Sequence, residues 1–256
     1  HAIRASTRDV DSNEANSATI TVRLRAAHCF NRAKDVDETA IDCGGNDCGT
    51  CTGESCQTNN QCASGACSGG QCVEFPTITR VTPADGAPGN FITIVGKGFG
   101  ATKGTGSVTF LGGNKEATAP QSCLVTDFWR DDRIIVAIPV GAIAGGLKVM
   151  NDAPFYDDTE NNRGVKYTFT PSAVTRPGLC SMTPEEGAFG VTFAVSGVNF
   201  GATRGTMTIG GSSAGNVTWG DTTIRGAVVP NLAAGTADVV VAQGSALSNP
   251  LPFRVK

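Results

Sequence analysis

Residues 98–104 read Gly-Phe-Gly-Ala-Thr-Lys-Gly, and residues 199–205 read Asn-Phe-Gly-Ala-Thr-Arg-Gly. A second pair of matching segments lies 101 residues apart, Thr-Pro-Ala-Asp-Gly-Ala-Pro-Gly at 82–89 and Thr-Pro-Glu-Glu-Gly-Ala-Phe-Gly at 183–190. A third pair, Trp129 to Ile134 and Trp219 to Ile224, lies 90 residues apart because the first copy has a longer loop near 114–122. Self-similarity at a nearly fixed spacing predicts two tandem homologous domains.

Each copy consists of short, apolar or alternating segments separated by Gly and Pro. In the first copy the predicted strands are 91–95, 107–110, 134–138, 146–150 and 165–169. In the second copy they are 191–195, 206–209, 224–228, 237–241 and 252–255. Many short strands without a helical period indicate an all-β chain with two tandem immunoglobulin-like β-sandwiches, at 76–171 and 176–256.

The repeated motifs resemble the IPT/TIG domain. They comprise a Pro-x-x-Gly opening, a Gly-x-x-Phe-Gly turn, a Val-Thr-Phe-x-Gly-Gly strand, a Trp-x-Asp-x-x-Ile strand and a closing Phe-x-Val. The resemblance implies an immunoglobulin-like fold that occurs in surface receptors, bacterial adhesins and some transcription factors. It also implies structural roles for the aromatic residues of these motifs, Phe99, Trp129, Phe200 and Trp219.

Eight of the ten cysteines lie in one segment that contains few aliphatic residues, at Cys29, Cys43, Cys48, Cys51, Cys56, Cys62, Cys67 and Cys72. Such a segment needs disulfides or metals in place of an apolar core. The spacing Cys48-x-x-Cys51 leaves a zinc ribbon as the alternative, but no second C-x-x-C follows it. We therefore predict four disulfides within a module at 29–75 and an extracellular location. Eight cysteines allow 105 connectivities, and the sequence does not choose among them.

Two further inferences concern the cysteines. The segment from Asn31 to Cys72 resembles a small cysteine-rich module of secreted and surface proteins, which implies a spacer or interaction role. The remaining cysteines, Cys123 and Cys180, fall one in each predicted sandwich. We predict that they are bonded to each other and fix the angle between the sandwiches.

The N-terminal segment, 1–28, contains a strand with one apolar face, formed by Ala18, Ile20, Val22, Leu24 and Ala26. Residues 2–6 are its predicted hairpin partner, across a loop at 9–16. The segment resembles the last strands of another immunoglobulin-like domain. In cis, the hairpin would complete such a domain or fold back on the first sandwich of its own chain. The favoured prediction is that the strand is donated in trans to the sheet edge of a neighbouring copy, and a head-to-tail contact of that kind propagates into a filament.

Two groups of oxygen ligands suggest calcium as a cofactor. One group is Asp9, Asp11 and Asn13, and the other is Asp35, Asp37, Glu38 and Asp42. Neither group has the full twelve-residue calcium loop, so solvated turn residues without a cofactor are the favoured interpretation at both places and calcium is the alternative. The run at 157–162 is interpreted as a solvated loop.

Composition and residue types restrict the function. A net charge of −3 with 17% charged residues argues against nucleic acid as a partner. No apolar segment is long enough to span a membrane. Both histidines, His1 and His28, precede the sandwiches, which excludes a histidine base there and argues against an enzyme.

The favoured function is that of an extracellular structural or adhesive cell-surface protein, with a filament formed by strand addition as one form. Its partners are then further copies of the chain or other surface proteins. The alternative is a carbohydrate-binding accessory region of a secreted enzyme, with a glycan as partner. Such a region requires an exposed aromatic platform, and Phe155 and Tyr156 are its candidates.

Overall fold

The computed structural model describes residues 2–3, 6–8, 14–16, 20–21, 26–35, 37–121, 128–160, 165–215 and 217–256. The chain divides into two compact units, His1–Glu74 and Phe75–Lys256. Within the described ranges the helices are two short 3₁₀ turns, Ala27–Phe30 and Asn59–Gln61, and the other elements are strands. None of these helices has the length and hydrophobicity of a membrane span. The all-β prediction is confirmed.

The first unit begins with the predicted hairpin. Strand β1 (Ala2–Ile3) pairs antiparallel with β4 (Ile20–Thr21), and β2 (Ser6–Arg8) pairs antiparallel with β3 (Glu14–Asn16). The predicted loop at 9–16 is therefore too long, because its last three residues form a strand. Ala18, Val22 and Leu24 lie outside the described residues, and donation of the strand to another copy stays a prediction.

A disulfide-rich module follows the hairpin. The bonds are Cys29–Cys48, Cys43–Cys51, Cys56–Cys67 and Cys62–Cys72, so that the first two interleave with each other and the last two do the same. Strands β5 (Cys67–Ser68) and β6 (Gln71–Cys72) form a short hairpin in its second half. Because both sulfurs of the C-x-x-C pair are in disulfides, the zinc-ribbon alternative is wrong.

The second unit contains both repeats, each built from two sheets. The strands of the first repeat are β7 (Thr77–Thr82), β8 (Asp85–Gly86), β9 (Phe91–Lys97), β10 (Ser107–Phe110), β11 (Lys115–Glu116), β12 (Arg133–Ala137), β13 (Leu147–Met150), β14 (Tyr156–Asp158) and β15 (Thr170–Pro171). One sheet has the order β12-β9-β7 and the other β11-β10-β13-β14, while β15 pairs parallel with β8. All longer pairings are antiparallel, as in an immunoglobulin-like sandwich.

The second repeat has the same plan. Its strands are β16 (Gly178–Thr183), β17 (Glu186–Gly187), β18 (Thr192–Val198), β19 (Thr206–Ile209), β20 (Ser212–Ser213), β21 (Thr218–Trp219), β22 (Thr223–Val228), β23 (Gly235–Gln243), β24 (Ala246–Leu247) and β25 (Leu251–Val255). The sheet orders are β16-β18-β22-β21 and β17-β25-β23-β19-β20, with β24 added to β23. Two tandem sandwiches after a disulfide-rich module are thus confirmed.

Each sandwich closes over inward-facing residues of both sheets. In the first repeat, Ile92 and Ile94 of one sheet meet Phe110 and Leu147 of the other, and all four are fully buried. The alternation of β9 and β12 would leave their other faces in water if the sandwich stood alone. These faces are buried too, since all five residues of β12 are inaccessible.

The second repeat covers that outer face. Phe91, Ile135 and Ala137 belong to strands of the first repeat but pack in the core of the second. Gly178 makes room for this contact, because a Cβ there would lie 2.5 Å from Cδ2 of Phe91. Residues of the first repeat are therefore part of the apolar core of the second, a contact that the sequence analysis did not predict.

Two interpretations of the first repeat are wrong. Residues 165–169 are not a strand: the N–H of Val165 donates to Ile78 in one sheet, while Phe169 bridges to Gly145 beside the other. A segment that crosses between sheets cannot form a regular ladder with either. The run at 157–162 is not simply a solvated loop, because Asp157 is buried in β14 and accepts a hydrogen bond from the N–H of Ile78 at 2.8 Å.

The remaining cysteine pair is described at one end. Cys180 lies in β16, is buried and is disulfide-bonded. Cys123 lies outside the described residues, so its pairing with Cys180 stays a prediction.

Candidate functional site

The repeated Trp and Asp residues stabilise the glycine-rich turns. Indole Nε1 of Trp129 donates to the carbonyl of Phe99 at 3.0 Å, and the Asp131 carboxylate accepts from the N–H of Gly100 at 3.0 Å. The second repeat contains the same contacts, from Trp219 to Phe200 and from Gly201 to Asp221. Each indole holds a turn: Trp129 is buried, and the half-buried Trp219 packs edge-on against Phe200 with 6.4 Å between ring centres, so the motif is structural.

An exposed aromatic residue stands instead on the outer face of the sheet β11-β10-β13-β14. Tyr156 is 55% exposed and lies opposite Met150. Lys148, two residues along β13, places Nζ 5.8 Å from the centre of the Tyr156 ring. The register brings Thr109 and Asp158 to either side of Lys148 on this face. We call Thr109, Lys148, Met150, Tyr156 and Asp158 the Tyr156 face.

Phe155, the other predicted platform residue, has a different role. Its ring packs edge-on against Phe75 with 4.7 Å between ring centres, and the side chain is half-buried. The structure thus separates the two candidates, leaving Tyr156 as the exposed ring. Sequence reasoning did not single out Lys148 and Thr109. Alternate residues of a strand lie on the same face, so both could have been grouped with Tyr156 if the strand register had been known.

The corresponding face of the second repeat lacks this chemistry. Thr206 lies opposite Ala242 as Ser107 lies opposite Met150, which makes Leu247 the counterpart of Tyr156. Leu247 is 51% exposed, so the position is open in both repeats. Val240 takes the place of Lys148, and the second repeat therefore has no aromatic ring or cation at these two positions.

Charged groups also meet where the two repeats touch. Arg130 and Arg133 both donate to the carboxylate of Glu185, at 2.5 and 3.2 Å, beside a cavity of about 350 Å³. Arg133 is almost completely buried, so this ion pair contributes to the junction rather than to a free surface. Near it, a hydrogen bond from Lys256 holds the pKa of the Glu186 carboxyl below its usual value.

The structure describes one of the two predicted groups of calcium ligands. Asp9, Asp11 and Asn13 lie outside the described residues. Glu38 is buried and accepts from the N–H groups of Asp35 and Asp42, each at 3.1 Å. Asp42 in turn accepts from the N–H of Arg32, and Asp35 accepts from the side chain of Asn31. These carboxylates hold the module's loops, Asp37 faces His28, and calcium binding stays a prediction.

Sequence relatives match only part of the chain. A cyclomaltodextrin glucanotransferase of Bacillus sp. (strain 17-1) is 38% identical over 96 residues, which is 35% of this chain and 12% of the enzyme. A cyclomaltodextrin glucanotransferase of Niallia circulans is 44% identical over 71 residues, 28% of this chain and 8% of the enzyme. The matched region is thus a small fraction of these relatives.

A solved structure was also matched, SGBP-B from a complex xyloglucan utilization locus in Bacteroides uniformis. Its TM-score is 0.28 at 23% identity, with 70% of this chain and 49% of that chain covered. A likeness at this TM-score carries no functional conclusion. The family model is decisive, because the IPT/TIG domain model matches residues 76–159 and 177–255, more than half of the sequence. With two matched domains, each folded as a sandwich, the chain belongs to the IPT/TIG family.

Proposed function

We propose that this chain is a non-catalytic carbohydrate-binding region of an extracellular protein, and that the Tyr156 face contacts the sugar. The observation that carries the proposal is the exposed Tyr156 ring beside Lys148 on an open sheet. Four disulfides in a small module support an oxidising, extracellular compartment.

The chemistry of the face suits a polyhydroxylated ligand. The apolar face of a sugar ring packs on an aromatic side chain, whose hydroxyl remains available for a hydrogen bond. Lys148 and Asp158 supply a donor and an acceptor within the same row, and Thr109 adds a hydroxyl. An exposed, shallow site of this kind fits the side of a polysaccharide chain better than an enclosed small molecule.

The sequence relatives support a glucan as the ligand. Both are named cyclomaltodextrin glucanotransferase, and the matched stretches are 38% and 44% identical to this chain. Because that stretch covers at most 12% of each enzyme, their activity is not transferred to this chain. A supporting role beside a catalytic domain is what such a small shared region favours.

The experiment titrates the full chain with cyclomaltodextrin and with linear malto-oligosaccharides by calorimetry. We expect Tyr156→Ala to weaken binding about tenfold, because an aromatic contact contributes about 1.5 kcal/mol. Leu247→Ala is the matched control, since it truncates the equivalent exposed position of the second repeat. Absence of binding in the wild-type chain, or equal affinity in Tyr156→Ala, would refute the proposal.

A structural or adhesive role is the second candidate. The apolar contact between the two repeats favours it. A buried apolar contact between domains restricts their relative motion, as a stiff spacer requires, whereas a flexible linker does not. Filament formation by the strand at 18–26 remains a prediction. The two roles are compatible in one surface protein, and the Tyr156 face favours the first because it offers polar groups and an exposed ring to a sugar.

A further inference from the structure

Three potential metal ligands converge in the disulfide-rich module. The ligand atoms of His28, Asp37 and Asp47 all lie within 4.8 Å of one another. Nε2 of His28 is 3.3 Å from Oδ2 of Asp37. The same nitrogen is enclosed and makes no hydrogen bond to any residue that the structure describes. An imidazole nitrogen that makes no hydrogen bond can bind a metal ion in its deprotonated form.

Covalent bonding sets the position of these side chains. Cys29 follows His28 and Cys48 follows Asp47, and the two cysteines form a disulfide with 5.3 Å between their Cα atoms. Asp37 is held by its neighbour Glu38, whose buried carboxylate accepts two backbone N–H groups. The three side chains are therefore brought together before any ion binds, which lowers the entropic cost of binding.

The distance between His28 and Asp37 fits one ion bound between these two side chains. Two ligand atoms at about 2.0–2.1 Å from a tetrahedral zinc ion lie about 3.3–3.4 Å apart, which is the separation of His28 Nε2 and Asp37 Oδ2. Imidazole together with carboxylates suits zinc and its neighbours in the first transition row, whereas calcium takes oxygen ligands alone. We propose that His28, Asp37 and Asp47 form a binding site for a divalent transition metal of the zinc type.

A simple ion pair explains the arrangement less well. Pairing of His28 with Asp37 accounts for one carboxylate, but not for the approach of Asp47, whose carboxylate lies within 4.8 Å of the ligand atoms of both. Two carboxylates that share a site repel each other unless a cation lies between them. The side chain of Asp37 is 41% exposed, so an ion can approach the site from the carboxylate side. A water molecule fills the fourth coordination position in sites with three protein ligands.

Zinc chloride titrated into the oxidised full-length chain tests the site. We expect one ion per chain, and a loss of affinity of about tenfold or more in His28→Ala and in Asp47→Asn. Asp35→Asn is the matched control, because it removes the same charge from the same module without touching the three ligands. His1→Ala is the second control, since it removes the other histidine of the chain. Both controls should bind zinc as the wild type does.

Intact-mass analysis of each variant confirms that all disulfides have formed, so that a loss of binding is not a loss of folding. Excess calcium should not displace the zinc ion. The proposal fails if the wild-type chain binds no zinc, if His28→Ala or Asp47→Asn binds as tightly as the wild type, or if His1→Ala abolishes binding.

Discussion

Asn249 connects the two repeats through its carboxamide. The side chain is fully buried. Its oxygen accepts from the N–H of Leu179 at 2.7 Å, and its nitrogen donates to the carbonyl of Leu179 at 3.0 Å and to Oγ1 of Thr93 at 2.9 Å. Thr93 belongs to the first repeat and itself donates to the carbonyl of Pro250. The carboxamide thus satisfies polar groups that the junction removes from water.

Asn249→Ala should destabilise the chain by about 3 kcal/mol. The substitution leaves the N–H and carbonyl of Leu179 buried without this partner, and each orphaned group costs about 1–3 kcal/mol. Urea unfolding followed by circular dichroism measures the effect. Asn231→Ala, at an exposed position, is the control and should change stability by less than about 0.5 kcal/mol. A loss below 1 kcal/mol in Asn249→Ala, on the same scale, would show that water replaces the carboxamide.

The burial of individual polar residues could not be predicted from the sequence. Asn249 follows a strand and precedes a proline, and Asp157 stands in an acidic run, so both resemble turn residues. Their burial depends on elements more than 60 residues away along the chain, Leu179 and Ile78. The aromatic residues Phe99 and Phe200 were easier to assign, because each repeat confirms the other.

Among the elements, the sequence predicted that the segment 29–75 is held together by disulfides, but it did not predict which cysteines are paired. A segment with many cysteines and few aliphatic residues indicates stabilisation by disulfides, whichever cysteines are paired. The observed bonds close loops of 8 to 19 residues, and many of the other connectivities also close short loops. The observed pairing occurs together with backbone contacts such as Thr50 N–H to the carbonyl of Gln61, which no local sequence pattern predicts.

Loss of the Cys62–Cys72 bond should destabilise the module by about 2–5 kcal/mol, because it removes a cross-link and part of a very small core. Both sulfurs are buried, and the bond joins the two halves of the segment 51–74. Hydrogen exchange of the Cys62→Ala, Cys72→Ala double variant measures the change. Protection should fall within 51–74 and remain in the two sandwiches. Unchanged protection in the module would contradict the prediction.

At the scale of the whole molecule, the outer face of the same sheet is buried in the first repeat and exposed in the second. Phe91 and Ile135 line this face in the first repeat, where the second repeat buries them. Thr192 and Arg225 occupy the equivalent positions of the second repeat and are exposed. Sequence similarity predicted the common fold from the inward residues. It did not predict the junction, because the outward residues differ between the copies.

We expect the two repeats to unfold as one cooperative unit, and Ile135→Arg to uncouple them. The variant gives the first repeat the residue found at the same position of the second. The unpaired guanidinium would enter the apolar core of the second repeat, which costs more than about 3 kcal/mol. Each repeat contains one of the two tryptophans, so Trp129→Phe and Trp219→Phe backgrounds report the repeats separately by fluorescence.

The thermal midpoints of the two backgrounds should coincide in the parent chain and separate once Ile135→Arg is added. Arg225→Ile is the reciprocal control, because Arg225 is exposed and lies beside residues of the second repeat such as Thr192 and Thr223. It should leave the midpoints together. Separate midpoints in the parent chain, or coincident midpoints with Ile135→Arg, would mean that the apolar contact does not couple the repeats. In that case the charged contacts, such as Arg80 with Asp238, would hold the junction instead.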